Sequence, residues 1–149
     1  MPPQEIEDPV LGRLEFHPIA DAYEGEFEIE GVAVPFVLDD VMRDPNLETR
    51  LQRARQFHGN RERYVDAARR YTVVQLLGLK NESWLRPGEP PLTAEEFRAS
   101  LRLSEITFHL NGETTFFLEE GESIWGHVIM TTMDESGRFL DADTPERYA

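Results

Sequence analysis

The chain contains no cysteine, which excludes disulfides, thiolate catalysis and cysteine-ligated zinc. Among its fifteen cations only Lys80 is a lysine, an arginine bias of the kind a GC-rich genome produces. No apolar run approaches the ~20 residues that span a bilayer. The opening stretch MPPQEIEDPV has neither the basic nor the apolar region of a secretion signal, and a soluble, cytoplasmic protein is expected. Also missing are G-x-x-x-x-G-K-[ST], G-x-G-x-x-G, G-x-S-x-G and H-E-x-x-H. Asp141-Ala-Asp143 lacks the rest of a calcium-binding loop. With 29 carboxylates, spacing cannot single out an acid–base pair. No catalytic residue, cofactor or metal is therefore assigned.

What is present fits one α+β domain spanning residues 1–149. The length and the 40% hydrophobic content suffice for a core. Net charge is −14, which argues against direct binding to nucleic acid or to an anionic membrane. The charge is unevenly spread. Residues 1–42 carry one arginine against eleven acids, 43–72 carry eight arginines against four acids, and 73–149 carry six bases against fourteen acids. The chain is an acidic body with one basic element.

Alternation marks VLGRLEFH (10–17) as a strand, with Val10, Leu14 and Phe16 on one face. YEGEFEIEG follows, with Tyr23, Phe27 and Ile29 inward and Glu24, Glu26, Glu28 and Glu30 outward. A two-residue Glu30-Gly31 turn into VAVPFVL pairs Ile29 with Val32 and Phe27 with Val34. Pro35 cannot donate to a ladder, which assigns its strand to an edge or a bulge. Residues 45–78 read as one long helix that Gly59 either bends or splits, with Asp44 as N-cap and Gly78 just past the end. Its apolar stripe runs through Leu47, Leu51, Ala54, His58, Val65, Ala68, Thr72 and Leu76, and Val73 to Leu79 is expected to be deeply buried. Thr93-Ala-Glu-Glu96 is a capping box opening a short helix over 94–102. Four strands close the chain. A bulged loop at Asn111-Gly112 is expected to bring Ile106, Phe108, Phe116 and Leu118 onto one face. The expected fold is a largely antiparallel sheet with one long helix and a short second helix on one face.

Chemistry is sparse. His17, His109 and His127 all fall on expected strands, but no two share the i, i+2 spacing of metal ligands, and scattered strand histidines are usually structural. Glu24, Glu26, Glu28 and Glu30, ~6.6 Å apart, form a row that reads either as a solvated face discouraging edge aggregation or as a docking surface for a basic partner. The arginines of 50–70 are spread around several faces among Glu48, Glu62 and Asp66. They read as ion-pairing residues rather than a nucleic-acid stripe. Trp125 and His127, with Asp134 and Glu122 nearby in sequence, could rim a small-ligand pocket. Equally, SIWGHVIMTTMD is a strand covered on both sides, in which His127 is hydrogen-bonded and structural.

DPVLGRLEF, YEGEFEIEG and WGHVIMTTMDESGRFLDAD resemble an uncharacterised bacterial family of domain-of-unknown-function type. The matching positions are Asp8, Pro9, Gly12, Tyr23, Gly25, Trp125, Gly126, His127, Asp134 and Gly137. The resemblance implies kinship with the immunity proteins of bacterial toxin systems. It supplies a fold expectation and no catalytic residues.

The leading reading is a small acidic, non-enzymatic binding protein, an immunity-type inhibitor of a basic protein partner. The expected binding residues are Glu24, Glu26, Glu28, Glu30, Trp125, His127 and Asp134. The alternative is an enzyme or small-ligand binder with its pocket near Trp125 and His127. A monomer or small homo-oligomer is expected, with Pro35 on the strand a self-association would use.

Overall fold

The computed structural model describes residues 2–85, 87–120 and 127–144. They form an eight-stranded sheet in chain order, β1 (Glu5–Asp8), β2 (Gly12–His17), β3 (Ala22–Ile29), β4 (Val32–Leu38), β5 (Leu101–Phe108), β6 (Thr114–Glu120), β7 (His127–Met133) and β8 (Phe139–Asp143). Every neighbouring pair is antiparallel except β4 and β5, which run parallel. The sheet is thus two four-stranded meanders, β1–β4 and β5–β8, joined along one parallel seam. Among the described residues, three α-helices lie in the connection, α1 (Leu47–Gly59), α2 (Arg61–Ser83) and α3 (Ala94–Ser100), after a single 3-10 turn at Val41–Arg43. Among the described residues no helix is long and apolar enough to cross a membrane.

Local chemistry dictates the hairpins. Glu30 and Gly31 both take positive φ, 54° and 78°, the two-residue turn that matches strand twist. It sets the expected register, Ile29 against Val32 and Phe27 against Val34. In the β5–β6 loop, His109 N donates to Glu113 O and Gly112 N to His109 O. Ile106, Phe108, Phe116 and Leu118 are consequently all fully buried. Thr93 Oγ1 accepts from Glu96 N while Glu96 Oε1 accepts from Thr93 N, the capping box that starts α3.

Several expectations are corrected. Four strands, not three, precede the helices, because Glu5–Asp8 pairs with β2 and Val10 sits in the turn between them, about half exposed. Of the bend or split left open at Gly59, the chain takes the split: α1 ends at Gly59 and α2 starts at Arg61, with Asn60 between them at a φ of −131°, outside helical space. The N-cap of α1 is Asn46, since Asp44 spends its carboxylate on Asn46 N and on Arg50. Gly78 lies inside α2, which continues to Ser83. Within Val73–Leu79, Val74 is 80% exposed. The fully buried residue at that end is Lys80, held 2.7 Å from the buried Glu120 and 3.2 Å from Glu89. Charge pairing there overrides hydrophobic patterning.

Phe57 of α1 joins the two meanders from the helical side. It stacks at 5.6 Å on Phe27 and meets Phe108 edge-on at 5.4 Å and Phe116 at 5.8 Å. Such pairs contribute beyond the area they bury. Farther along, the Thr72 and Thr131 hydroxyls lie 2.5 Å apart. Because Thr72 donates back to Ala68 O, Thr131 is the donor between them. Gly25 stands opposite Phe36, whose ring lies across it. A Cβ at Gly25 would sit 2.6 Å from Phe36 Cζ.

Candidate functional site

Alternation gives the first three strands one carboxylate-rich face. Glu5 of β1 pairs with Glu15 of β2, and Glu15 with Glu24 of β3, so three carboxylates stand in a cross-strand row. Glu7, Glu26 and Glu28 extend it, and all are exposed. On these strands the one arginine, Arg13, lies 2.5 Å from Glu5, and the His17 ring lies 3.2 Å from Glu24. An open groove of about 560 Å³ runs along this face, lined by Arg13, Glu15, His17, Glu24, Glu26 and Pro35 together with the Leu11-Gly12 turn.

Glu24, Glu26 and Glu28 therefore share a face as expected, but Glu30 does not join them. It occupies the β3–β4 turn and pairs with Arg69 at 2.8 Å. Asp134 is also elsewhere. Its Oδ1 accepts from Ser136 N, Ser136 Oγ and Arg138 N, closing the β7–β8 turn. Those hydrogen bonds hold its carboxyl below the usual carboxylate range. His127 begins β7, opposite Glu120, and Asp134 follows the strand's other end, roughly 20 Å away at strand rise. Along β7 the two positions therefore lie at opposite ends of the strand. Trp125, like Glu122 and Gly126, lies outside the described residues, as does the side chain of His127.

A polar cluster that no sequence motif marks lies at the ends of β4 and β5. Leu38 and Phe108 are the last paired residues of the parallel strands, which sets Asp39 beside His109. His109 Nδ1 lies 2.9 Å from Asp39 Oδ2, and its Nε2 lies 2.8 Å from Thr115 Oγ1, which is 3.0 Å from Thr132 Oγ1. A carboxylate is acceptor-only, so Nδ1 carries a proton. Burial alone would raise the Asp39 carboxyl; the hydrogen bond from His109 and the charges of His109 and Arg50 outweigh it and leave it lowered. The order carboxylate, imidazole, hydroxyl is that of a nucleophile relay. Access decides against that role. Thr115 is buried, and the adjoining cleft of about 450 Å³ is walled by Asp40, His109, Leu110, Asn111 and Glu113, not by Thr115. The cluster is a latch between strand ends. Only the parallel pairing of β4 with β5 brings it together, and no local pattern announces that pairing. Among the described residues no group of three or more His, Asp or Glu side chains is placed to hold a metal ion.

Asp8 is a further tie. Its Oδ1 accepts from Val10 N and Leu11 N, and its Oδ2 takes both Nε and Nη2 of Arg55. Burial would raise this carboxyl, but the bonds from Arg55, Leu11 and Val10 lower it. The motif positions Asp8, Gly25 and Asp134 thus secure turns and a close aromatic contact.

These features define a class: an α+β domain of two antiparallel meanders, laced by arginines from its helices and acidic on the face of its first three strands. The chain belongs to the family described as "Uncharacterized protein conserved in bacteria (DUF2262)", whose sequence model matches residues 8–144. No curated protein and no solved structure matches it.

Proposed function

We propose that the protein is a small acidic, non-enzymatic binding protein that docks a basic protein partner on the β1–β3 face, in the manner of an immunity-type inhibitor. One observation carries this reading: Glu5, Glu15 and Glu24 stand directly opposite one another across three strands. Like charges in that arrangement destabilise a sheet, and a cationic surface laid over them relieves the repulsion. The groove along Glu15, Glu24 and Glu26 supplies concave surface for arginine or lysine side chains. Electrostatic complementarity of this kind sets encounter rate and partner choice. The net charge of −14 points to protein rather than nucleic acid as the partner.

The test is affinity capture from the native host at low salt, with a Glu15→Lys/Glu24→Lys/Glu26→Lys variant as control. A specific basic protein retained by the wild type, lost by the variant and released as salt rises supports the reading, because exposed charges are screened within ~8 Å at physiological ionic strength. Recovery of the same proteins by both baits refutes it.

A further inference from the structure

The parallel seam is thin. β4 and β5 pair only over Phe36–Leu38 and Ile106–Phe108. Toward their N-terminal ends the strands part, β5 carries an irregularity between Leu103 and Glu105, and a wedge of about 330 Å³ opens, lined by Ile29, Val32, Val34, Leu103 and Ser104. Pro35 sits where the pairing stops, which corrects the expectation that its strand is an edge or carries a bulge: β4 is internal to the sheet and in continuous register with β3, but its first half lacks a partner on the β5 side.

Two arginines from the helical layer span this seam. At the closed end Arg50 donates to Asp39 and Asp44, which follow β4, and to Phe108 O, the last carbonyl of β5. At the open end Arg69 donates to Glu30, which precedes β4, and to Leu101 O, the first carbonyl of β5. Their environments differ sharply. The Arg50 side chain is 2% exposed and faces two carboxylates. Arg69 is 17% exposed, and its single carboxylate, Glu30, is 54% exposed.

We infer that the seam is a hinge: the Arg50 strap is its fixed end, and the Arg69–Glu30 strap is a releasable clasp that opens the wedge between β4 and β5. An ion pair with one exposed partner is weak and salt-screened, whereas a buried charge left unpaired is costly. Competition for Glu30, by salt or by another cation, therefore loosens the open end alone. Opening exposes the buried apolar wall of Ile29, Val34 and Leu103 beside the already exposed Val32 and lengthens two unpaired strand edges, surfaces that take up added strands.

The natural chain has no cysteine, so an introduced pair carries nitroxide labels without interference. Ala33→Cys with Arg102→Cys reports the open end; Asp40→Cys with Asn111→Cys reports the closed end. Distances are measured by pulsed electron resonance with Glu30 intact, in Glu30→Gln, and in the intact background as salt is raised. The expected result is a roughly three- to fivefold larger population of long distances across the open end under both perturbations, with the closed end unchanged. The salt series needs no further variant, so the test stands even if Glu30→Gln folds poorly. A distribution at the open end that either perturbation leaves unmoved, or equal widening at both ends, overturns the hinge.

Discussion

Arg50 and Phe108 meet through a single 3.0 Å hydrogen bond from Nη1 to the main-chain carbonyl, and that bond ties α1 to the last residue of β5. The same guanidinium holds Asp44 at 2.8 Å and Asp39 at 3.3 Å. Only a planar fork serves three acceptors in this way. Arg50→Ala leaves two partly buried carboxylates without their cation, and equilibrium unfolding in urea should show a loss of roughly 3–5 kcal/mol. Arg50→Lys should recover only part of it, since an ammonium lacks the fork geometry. Wild-type stability in Arg50→Lys would show that charge alone suffices.

Gly25 should not tolerate alanine. The added Cβ would lie 2.6 Å from Phe36 Cζ and 2.7 Å from Cε1, and Phe36 is itself stacked on Phe27 at 4.1 Å. A cost of about 2 kcal/mol is expected for Gly25→Ala. A double variant that adds Phe36→Leu should lose less than the sum of the two single changes. Strict additivity would mean that the contact is not the cause.

Acid should unfold the protein through identifiable carboxylates. Asp8 and Asp39 both have folded-state values lowered from the ordinary 3.8. Their contribution is fully present above that ordinary value and is lost as pH falls through the lower, folded one. Asp39→Asn and Asp8→Asn should each flatten the acid limb of a stability–pH curve. Curves parallel to wild type down to acid unfolding would count against these assignments.

His58 gives the same sign in a different window. Burial first, and the charge of Arg61 second, lower its value from the ordinary 6.5. Its neutral form is favoured in the fold, so its contribution is present above 6.5 and declines as pH falls through the lower value. The ring lies 5.6 Å from Phe27 and offers a direct readout: nuclear magnetic resonance titration should find a midpoint below 6.5. His58→Gln should remove the corresponding slope in stability.

The acidic row makes a prediction independent of any partner. Glu15 stands between Glu5 and Glu24, and Glu15→Gln should stabilise the isolated protein by ~0.5 kcal/mol at low salt, an increment that shrinks as salt is added. Calorimetry that finds the variant less stable would show the row to be locally satisfied, and would remove the main support for a cationic partner.

Legibility in the sequence follows sequence separation. The Glu30-Gly31 hairpin, the Asn111-Gly112 loop and the Thr93 box were readable because each is settled by residues a few places apart. The seam was not, because β4 and β5 meet only after the whole helical segment has folded back. Asp39, His109 and Arg50 therefore looked unrelated, although together they latch one end of that seam. The burial of Lys80 had no local signal either, because its charge partners are distant in sequence. Those partners, Glu89 and Glu120, come from a loop and from β6. For the acidic site, the strand face was legible in Glu24, Glu26 and Glu28. The diversion of Glu30 depends on Arg69, which lies 39 residues away and meets the β3–β4 turn only once the helices have packed.

The two-meander construction also bears on how the chain folds. Within β1–β4 and within β5–β8 every strand pairs with its immediate successor, so each half can assemble from short-range contacts. Joining them requires closing the long segment between Leu38 and Leu101, with the entropy that entails. The seam is thus the natural last event in folding. Residues such as Arg50 that act only after the halves have met should chiefly slow unfolding and leave the folding rate almost untouched.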